Sequence, residues 1–311
     1  MFGHTYFTPV VDSFMLGASV VPDYPARLLG RGARVPIIIG LTSAECLGYL
    51  TWIKYSDSRG VTKMDPLKNL VPDVAYRYPK QIKEAIAYQY FGKTYLLKED
   101  ITYNILIKIA SDASFVSPTL SEAGLYRRNN LDAFVYVFDH FNDPLSKRFQ
   151  KYGVDEMFGA PHGLDMAFLM GTMMVLDGSK SELRLSPQDE LIAAQLADAI
   201  VSFLKHRHPG GDWTNYDWPC LNIQHISSNQ STDSSLASRH MFWSQTVPAI
   251  EALQLRPVGD SSGPEPSPPG AGTGSARTYR QGFFISTGCA ALLLMTTCVF
   301  AFLHFVTRKA K

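Results

Sequence analysis

The sequence predicts an α/β protein: part of a mostly parallel sheet flanked by helices, plus one C-terminal transmembrane helix. Three observations predict it. Val35-Pro-Ile-Ile-Ile-Gly40 and Ala133-Phe-Val-Tyr-Val-Phe-Asp139 are unbroken apolar runs rich in β-branched and aromatic residues, the pattern of strands covered on both faces. Between and after these runs the apolar residues recur mostly at helical spacing. Phe283 to Val306 carries no charge, and about 24 apolar residues suffice to cross a hydrocarbon layer of roughly 30 Å.

Taken in order, Pro9-Val-Val-Asp12 reads as a loop or short strand, and Ala26-Arg-Leu-Leu29 as a short helix stopped by Gly30 and Gly32. Val35–Gly40 is the first central strand, and Glu45 follows its C-terminal end, where open α/β sheets place working residues. Pro66, Pro72 and Pro79 divide the next stretch; helices are predicted over 81–90 and 99–110. Ser111–Pro118 is read as the opening of a separate helix over 119–127. After the second strand, Met166–Met174 is predicted helical. Ser186-Pro-Gln-Asp189 combines a cap, a first-turn proline and a capping-box acid, ahead of a helix running to about Leu204 and stopped by His208-Pro-Gly-Gly211. A last helix is predicted from Ser238 to Leu253, with Phe242 and Trp243 inside it.

Composition narrows the function classes. With 311 residues, 46% hydrophobic and 18% charged, the chain can bury one large core. A net charge of +1, with no Lys/Arg run longer than two in the globular part, argues against a nucleic-acid partner. Of four cysteines, Cys289 and Cys298 lie in the apolar segment, leaving Cys46 and Cys220; without a Cys-x-x-Cys, neither a disulfide scaffold nor a structural zinc site is expected.

The expected organisation is a globular part over 1–256, a Pro/Gly/Ser-rich stalk over 257–282, a membrane anchor over 283–306 and a short basic tail over 307–311. Arg308, Lys309 and Lys311 favour a cytosolic C-terminus, which puts the globular part on the extracellular or lumenal side. Asn229-Gln-Ser231 would then be a glycosylation triplet. Met1 opens directly into Phe-Gly-His-Thr-Tyr-Phe, with neither basic nor long apolar leader. The chain is therefore expected to be a fragment, the alternative being insertion by its tail.

The chemistry centres on Phe158-Gly-Ala-Pro-His-Gly-Leu-Asp-Met166. His162, between Pro161 and Gly163 in a loop beyond a buried strand, suits a general base. A loop histidine without chemistry satisfies the same position, and a lone glutamate past a strand is ordinarily just solvated. The combination distinguishes them. Gly-Ala-Pro-His-Gly-x-Asp-Met resembles the histidine loop of the type-B carboxylesterases and cholinesterases, and Ile38-Ile-Gly-Leu-Thr-Ser-Ala-Glu45 resembles their acid segment. Weaker matches follow in the same order: Phe7-Thr-Pro-Val-Val-Asp12, Asp112-Ala-Ser-Phe-Val-Ser-Pro118, Trp218-Pro219 and Arg239-His-Met-Phe-Trp243.

This resemblance covers about residues 5–255 and implies the C-terminal half of an α/β-hydrolase fold. It implies a Ser-Glu-His triad in which His162 is the base and Glu45 its orienting acid, while the serine and the oxyanion hole lie upstream of this chain. The formal elbow Gly259-Asp-Ser-Ser-Gly263 is rejected, because it follows His162 and sits in the stalk with no strand before it. Two departures stand out: Cys220 has no cysteine partner near Phe242-Trp243, and Leu164 and Asp165 replace the acidic or polar pair of many relatives.

Two functions follow. One is a membrane-anchored carboxylic ester hydrolase acting on a small-molecule ester, inactive as this chain alone and needing no metal or organic cofactor. The other is a catalytically inactive, neuroligin-like adhesion or binding module. Both leave room for a homodimer or an adhesion partner.

Overall fold

Three parallel strands, β1 (Ile37–Thr42), β2 (Ala133–Phe138) and β5 (Ile223–Ile226), lie side by side in that order and form the sheet that carries the site. A computed structural model describes residues 11–12, 19–48, 71, 76–92, 103–141, 147, 159–174, 180–182, 185–228 and 233–253. β1 pairs with β2 from Ile37 opposite Ala133 to Thr42 opposite Phe138. β5 lies on the other side of β2, with Val135 opposite Ile223. β2 is central and almost wholly buried, which explains its apolar text without alternation.

The side-chain period of two sorts β2 onto two cores. Phe134, Tyr136 and Phe138 face a core built by α5 (Leu164–Met170) and α6 (Pro187–His206), with Leu164, Phe168, Ile192 and Leu196 at its centre. α2 (Pro79–Phe91) and α3 (Tyr103–Ser111) add Ile82, Ile86 and Ile109 to it. Ala133 and Val135 face the opposite core, where Leu120 and Ala123 of α4 (Ser117–Arg128) pack against Ile39 and Leu41 of β1. The sheet is thus covered on both faces.

Several boundaries differ from the sequence expectation. α1 occupies Pro25–Gly32, running through both glycines. Ser111–Pro118 does not open a new helix. The chain passes from α3 through a wide π-turn at Asp112–Val116 into α4, and Pro118 comes two residues after the end of that turn. The same device recurs near the end: α7 (Leu236–Met241) continues through a π-turn at Phe242–Thr246 into α8 (Val247–Ala252), just ahead of Pro248. A proline has no N–H and its ring crowds the preceding turn, so widening that turn lets the helix continue. Met166–Met174 is only partly helical: α5 ends at Met170, and Gly171 leads into β3 (Thr172–Met174), antiparallel to β4 (Lys180–Glu182).

α6 begins as the sequence predicts. The Ser186 side chain accepts from the Asp189 N–H, and the Asp189 carboxylate accepts from the Ser186 N–H. A buried ion pair joins two of the weak sequence matches: Arg239 Nε lies 2.6 Å from Asp112 Oδ2, which also accepts from Tyr90. Cys46 and Cys220 are both free thiols. No helix among the described residues is long and apolar enough to cross a membrane. The expected stalk (257–282), anchor (283–306), tail (307–311) and Asn229, together with Gly259–Gly263, lie outside the described residues.

Candidate active site

β1 and β2 end side by side, and the loops beyond them bring Glu45 and His162 together. Strand pairing gives out at Thr42, but one more parallel bridge, Ala44 to Pro161, ties the loop after β1 to the histidine loop. The Ala44 N–H donates to the Ala160 carbonyl at 2.9 Å. Gly163 then starts α5 with φ 75°, a left-handed backbone that a side chain would strain. The sharp reversal leaves His162 on the rim while Leu164 and Asp165 enter the core.

The His162 Nδ1–H donates to Glu45 Oε2 at 2.5 Å. Glu45 is buried, its side chain 5% exposed against 58% for His162. Its other oxygen, Oε1, accepts the Thr42 N–H at 2.7 Å. Both oxygens are therefore assigned: one fixes the acid to β1, the other fixes the ring tautomer and leaves Nε2 as the acceptor nitrogen. The hydrogen bond from His162 to Glu45 holds the imidazole pKa above its ordinary value; burial opposes this, while the charges of Glu45 and Asp165 add to it. The Phe115 ring packs on the imidazole at 5.0 Å between centroids.

A second carboxylate lies beneath. Asp165 is buried and accepts from the Tyr136 hydroxyl at 2.9 Å and from the Met166 N–H at 2.8 Å. Burial, then the nearby Glu45 charge, pushes its carboxyl pKa up. The sequence reading noted Asp165 only as a departure from relatives; the signal it missed was Gly40, which makes room for the Tyr136 ring. Ser43 and Asp139 were also missed, since their contact joins residues far apart in the chain.

Three other described histidines sit away from this pair. His206 closes α6, and His208 packs edge-on against Phe134 and accepts from the Gly210 N–H. His140 is buried against Asp189 at 2.6 Å. Among the described residues no His, Cys, Asp or Glu side chains group as a metal site.

Comparison with known proteins adds the family. The carboxylesterase family profile matches residues 1–243. This chain belongs to the carboxylesterase family. Human neuroligin-2 is 22% identical over 276 residues, which cover 80% of this chain and 32% of that protein. Mouse neuroligin-3 is 24% identical over 214 residues, covering 66% and 24%. Acetylcholinesterase of Bungarus fasciatus is 20% identical over 260 residues, covering 78% and 40%. The crystal structure of juvenile hormone esterase from Manduca sexta, with OTFP covalently attached, superposes with a TM-score of 0.57 at 24% identity, covering 78% of this chain and 47% of that one. This likeness establishes an α/β-hydrolase-like fold with a parallel sheet and helices. The chain spans less than half the length of each of these relatives.

Proposed function

We propose that this chain supplies the acid–base half of a membrane-anchored carboxylic ester hydrolase. In this reading His162 Nε2 takes the proton of a serine hydroxyl as the serine attacks an ester carbonyl, and returns it to the departing alcohol. A second round with water releases the acid. Glu45 holds the ring in the required tautomer and stabilises the imidazolium. The serine and the oxyanion donors come from outside residues 1–311, so the chain alone is inactive. The observation that carries the reading is the 2.5 Å bond from His162 Nδ1 to a Glu45 carboxylate whose second oxygen is already held by the Thr42 N–H. A solvated glutamate would have no need of that arrangement.

The same proposal assigns residues 1–256 to the catalytic domain, 257–282 to a stalk, 283–306 to the anchor and 307–311 to a cytosolic tail, with the catalytic part outside the cell or in the lumen. Asn229 is then open to glycosylation. The test is turnover of a simple aryl ester by the serine-bearing protein: His162→Ala should abolish it, and undiminished turnover would remove the reading.

The second reading is an adhesion or binding module that keeps the fold and loses the serine. Two neuroligins among the relatives favour it. The upstream coding sequence separates the two: Gly-x-Ser-x-Gly favours the enzyme, and a glycine in place of the serine favours the module.

A further inference from the structure

We propose that Ser43 and Asp139 are positioning residues for the Glu45–His162 pair, joined by one hydroxyl that latches the exits of β1 and β2 to the histidine loop. This rests on the ester-hydrolase reading for its catalytic consequence, but not for its geometry. Ser43 follows β1 directly and stands two residues before Glu45. Its Oγ–H donates to Asp139 Oδ1 at 2.5 Å, in the residue just past β2. The same oxygen accepts the Ala160 N–H at 2.8 Å, two residues before His162. Backbone bonds fix the two outer members to the sheet, from the Ser43 N–H to the Phe138 carbonyl and from the Asp139 N–H to the Ile226 carbonyl.

The physical need is clear from where the pair sits. Glu45 and His162 belong to segments far apart in the chain, and their 2.5 Å contact tolerates only tenths of an ångström of relative drift. Two ties hold the segments laterally at that level: the Ala44-to-Ala160 backbone bond and the Ser43 hydroxyl. One tie alone is a hinge; two make a plate. Packing closes the joint further. A Cβ on Gly159 would fall 2.7 Å from Ser43 Oγ and 2.9 Å from Ala44 Cβ, so the histidine loop lies directly against the latch. Ala160 and Ala44 are fully buried, which leaves the Ala160 N–H dependent on this acceptor. Ser43 itself is exposed, so its replacement removes the latch without opening the core.

The experiment uses the full chain, isotopically labelled, and follows the His162 Nδ1 proton and the ring titration by NMR beside a thermal melt. In Ser43→Ala and Asp139→Ala the Nδ1 proton should move upfield and exchange faster with solvent. The ring should titrate at lower pH, because its bond to Glu45 is what raises it. Ser43→Thr and Asp139→Asn, which keep a hydroxyl and an acceptor oxygen, should restore the wild-type signals. In the serine-bearing protein Ser43→Ala should lower kcat by roughly tenfold with KM unchanged. An unaltered Nδ1 resonance and titration in Ser43→Ala would overturn the proposal whatever the rates. Loss of the whole fold in both alanine variants would make the hydroxyl a general structural contact and overturn it equally. If the NMR changes appear but even the wild type hydrolyses no ester, the latch stands and the enzyme reading falls.

Discussion

Gly40→Ala couples the fold to the site through a steric contact that can be worked out in advance. A Cβ at position 40 would lie 2.0 Å from Tyr136 Cζ, 2.3 Å from its hydroxyl oxygen and 2.4 Å from Cε1. Ordinary contact begins near 3.4 Å, so the ring must retreat by more than an ångström. It has nowhere to go, being 4% exposed and packed in the main core. Overpacking of this kind costs about 1–3 kcal/mol. Moving the ring also breaks the Tyr136–Asp165 bond, and an unpaired buried acceptor costs about 1–3 kcal/mol more. Asp165 recovers part of this by protonation, since burial already pushes its carboxyl up. The expected loss is about 3 kcal/mol, read as a shift of the urea midpoint at constant slope. In a Tyr136→Leu background the same substitution should cost less than about 1 kcal/mol, because the obstructing ring is gone. Equal costs in the two backgrounds would refute the reasoning.

Three further outcomes are expected. Glu45→Gln should lower the pH at which His162 titrates. Because the folded pKa is raised above the ordinary 6.5, the pair's stabilisation is fully present below that value and fades as pH rises through the folded one; wild type and variant should therefore differ in stability more at about pH 6 than at about pH 9. Arg239→Ala strands the Asp112 carboxylate in the interior and should cost about 3–5 kcal/mol in a denaturant titration; a loss below about 1 kcal/mol would show that the pair is not the tie described. The Cys46 thiol, pushed up to about 12 by burial and by Glu45, should resist iodoacetamide in the folded protein while exposed Cys220 is alkylated, as peptide mapping would report.

How far the sequence revealed this structure depended on whether a signal was local. β1 and β2 were legible because a strand covered on both faces must be apolar at every position, and Ile37-Ile-Ile and Ala133-Phe-Val-Tyr-Val-Phe138 are. The start of α6 was legible because its cap, proline and acid lie within four residues. β5 was not: Ile223-Gln-His-Ile226 is short and only half buried, and its pairing with β2 is a long-range fact. The first π-turn was hidden because Ser-Pro ordinarily reads as a helix start, and the second because it lies inside a stretch that reads as one continuous helix. In the candidate site, Glu45 and His162 were nominated from loop motifs, and the structure places the two side chains in contact. The parts that depend on through-space contact, the Ser43 hydroxyl and the Tyr136–Asp165 bond over Gly40, left no pattern in the chain.

The central claim is that Glu45 and His162 work as one unit, and rates test it most directly. In the serine-bearing protein, kcat/KM for an aryl ester should be measured for wild type, Glu45→Gln, His162→Ala and the double variant. The account predicts a loss of at least about a thousandfold for His162→Ala, a smaller loss for Glu45→Gln, and a double variant no slower than His162→Ala alone. Losses that multiply, or a His162→Ala variant as fast as wild type, would contradict it.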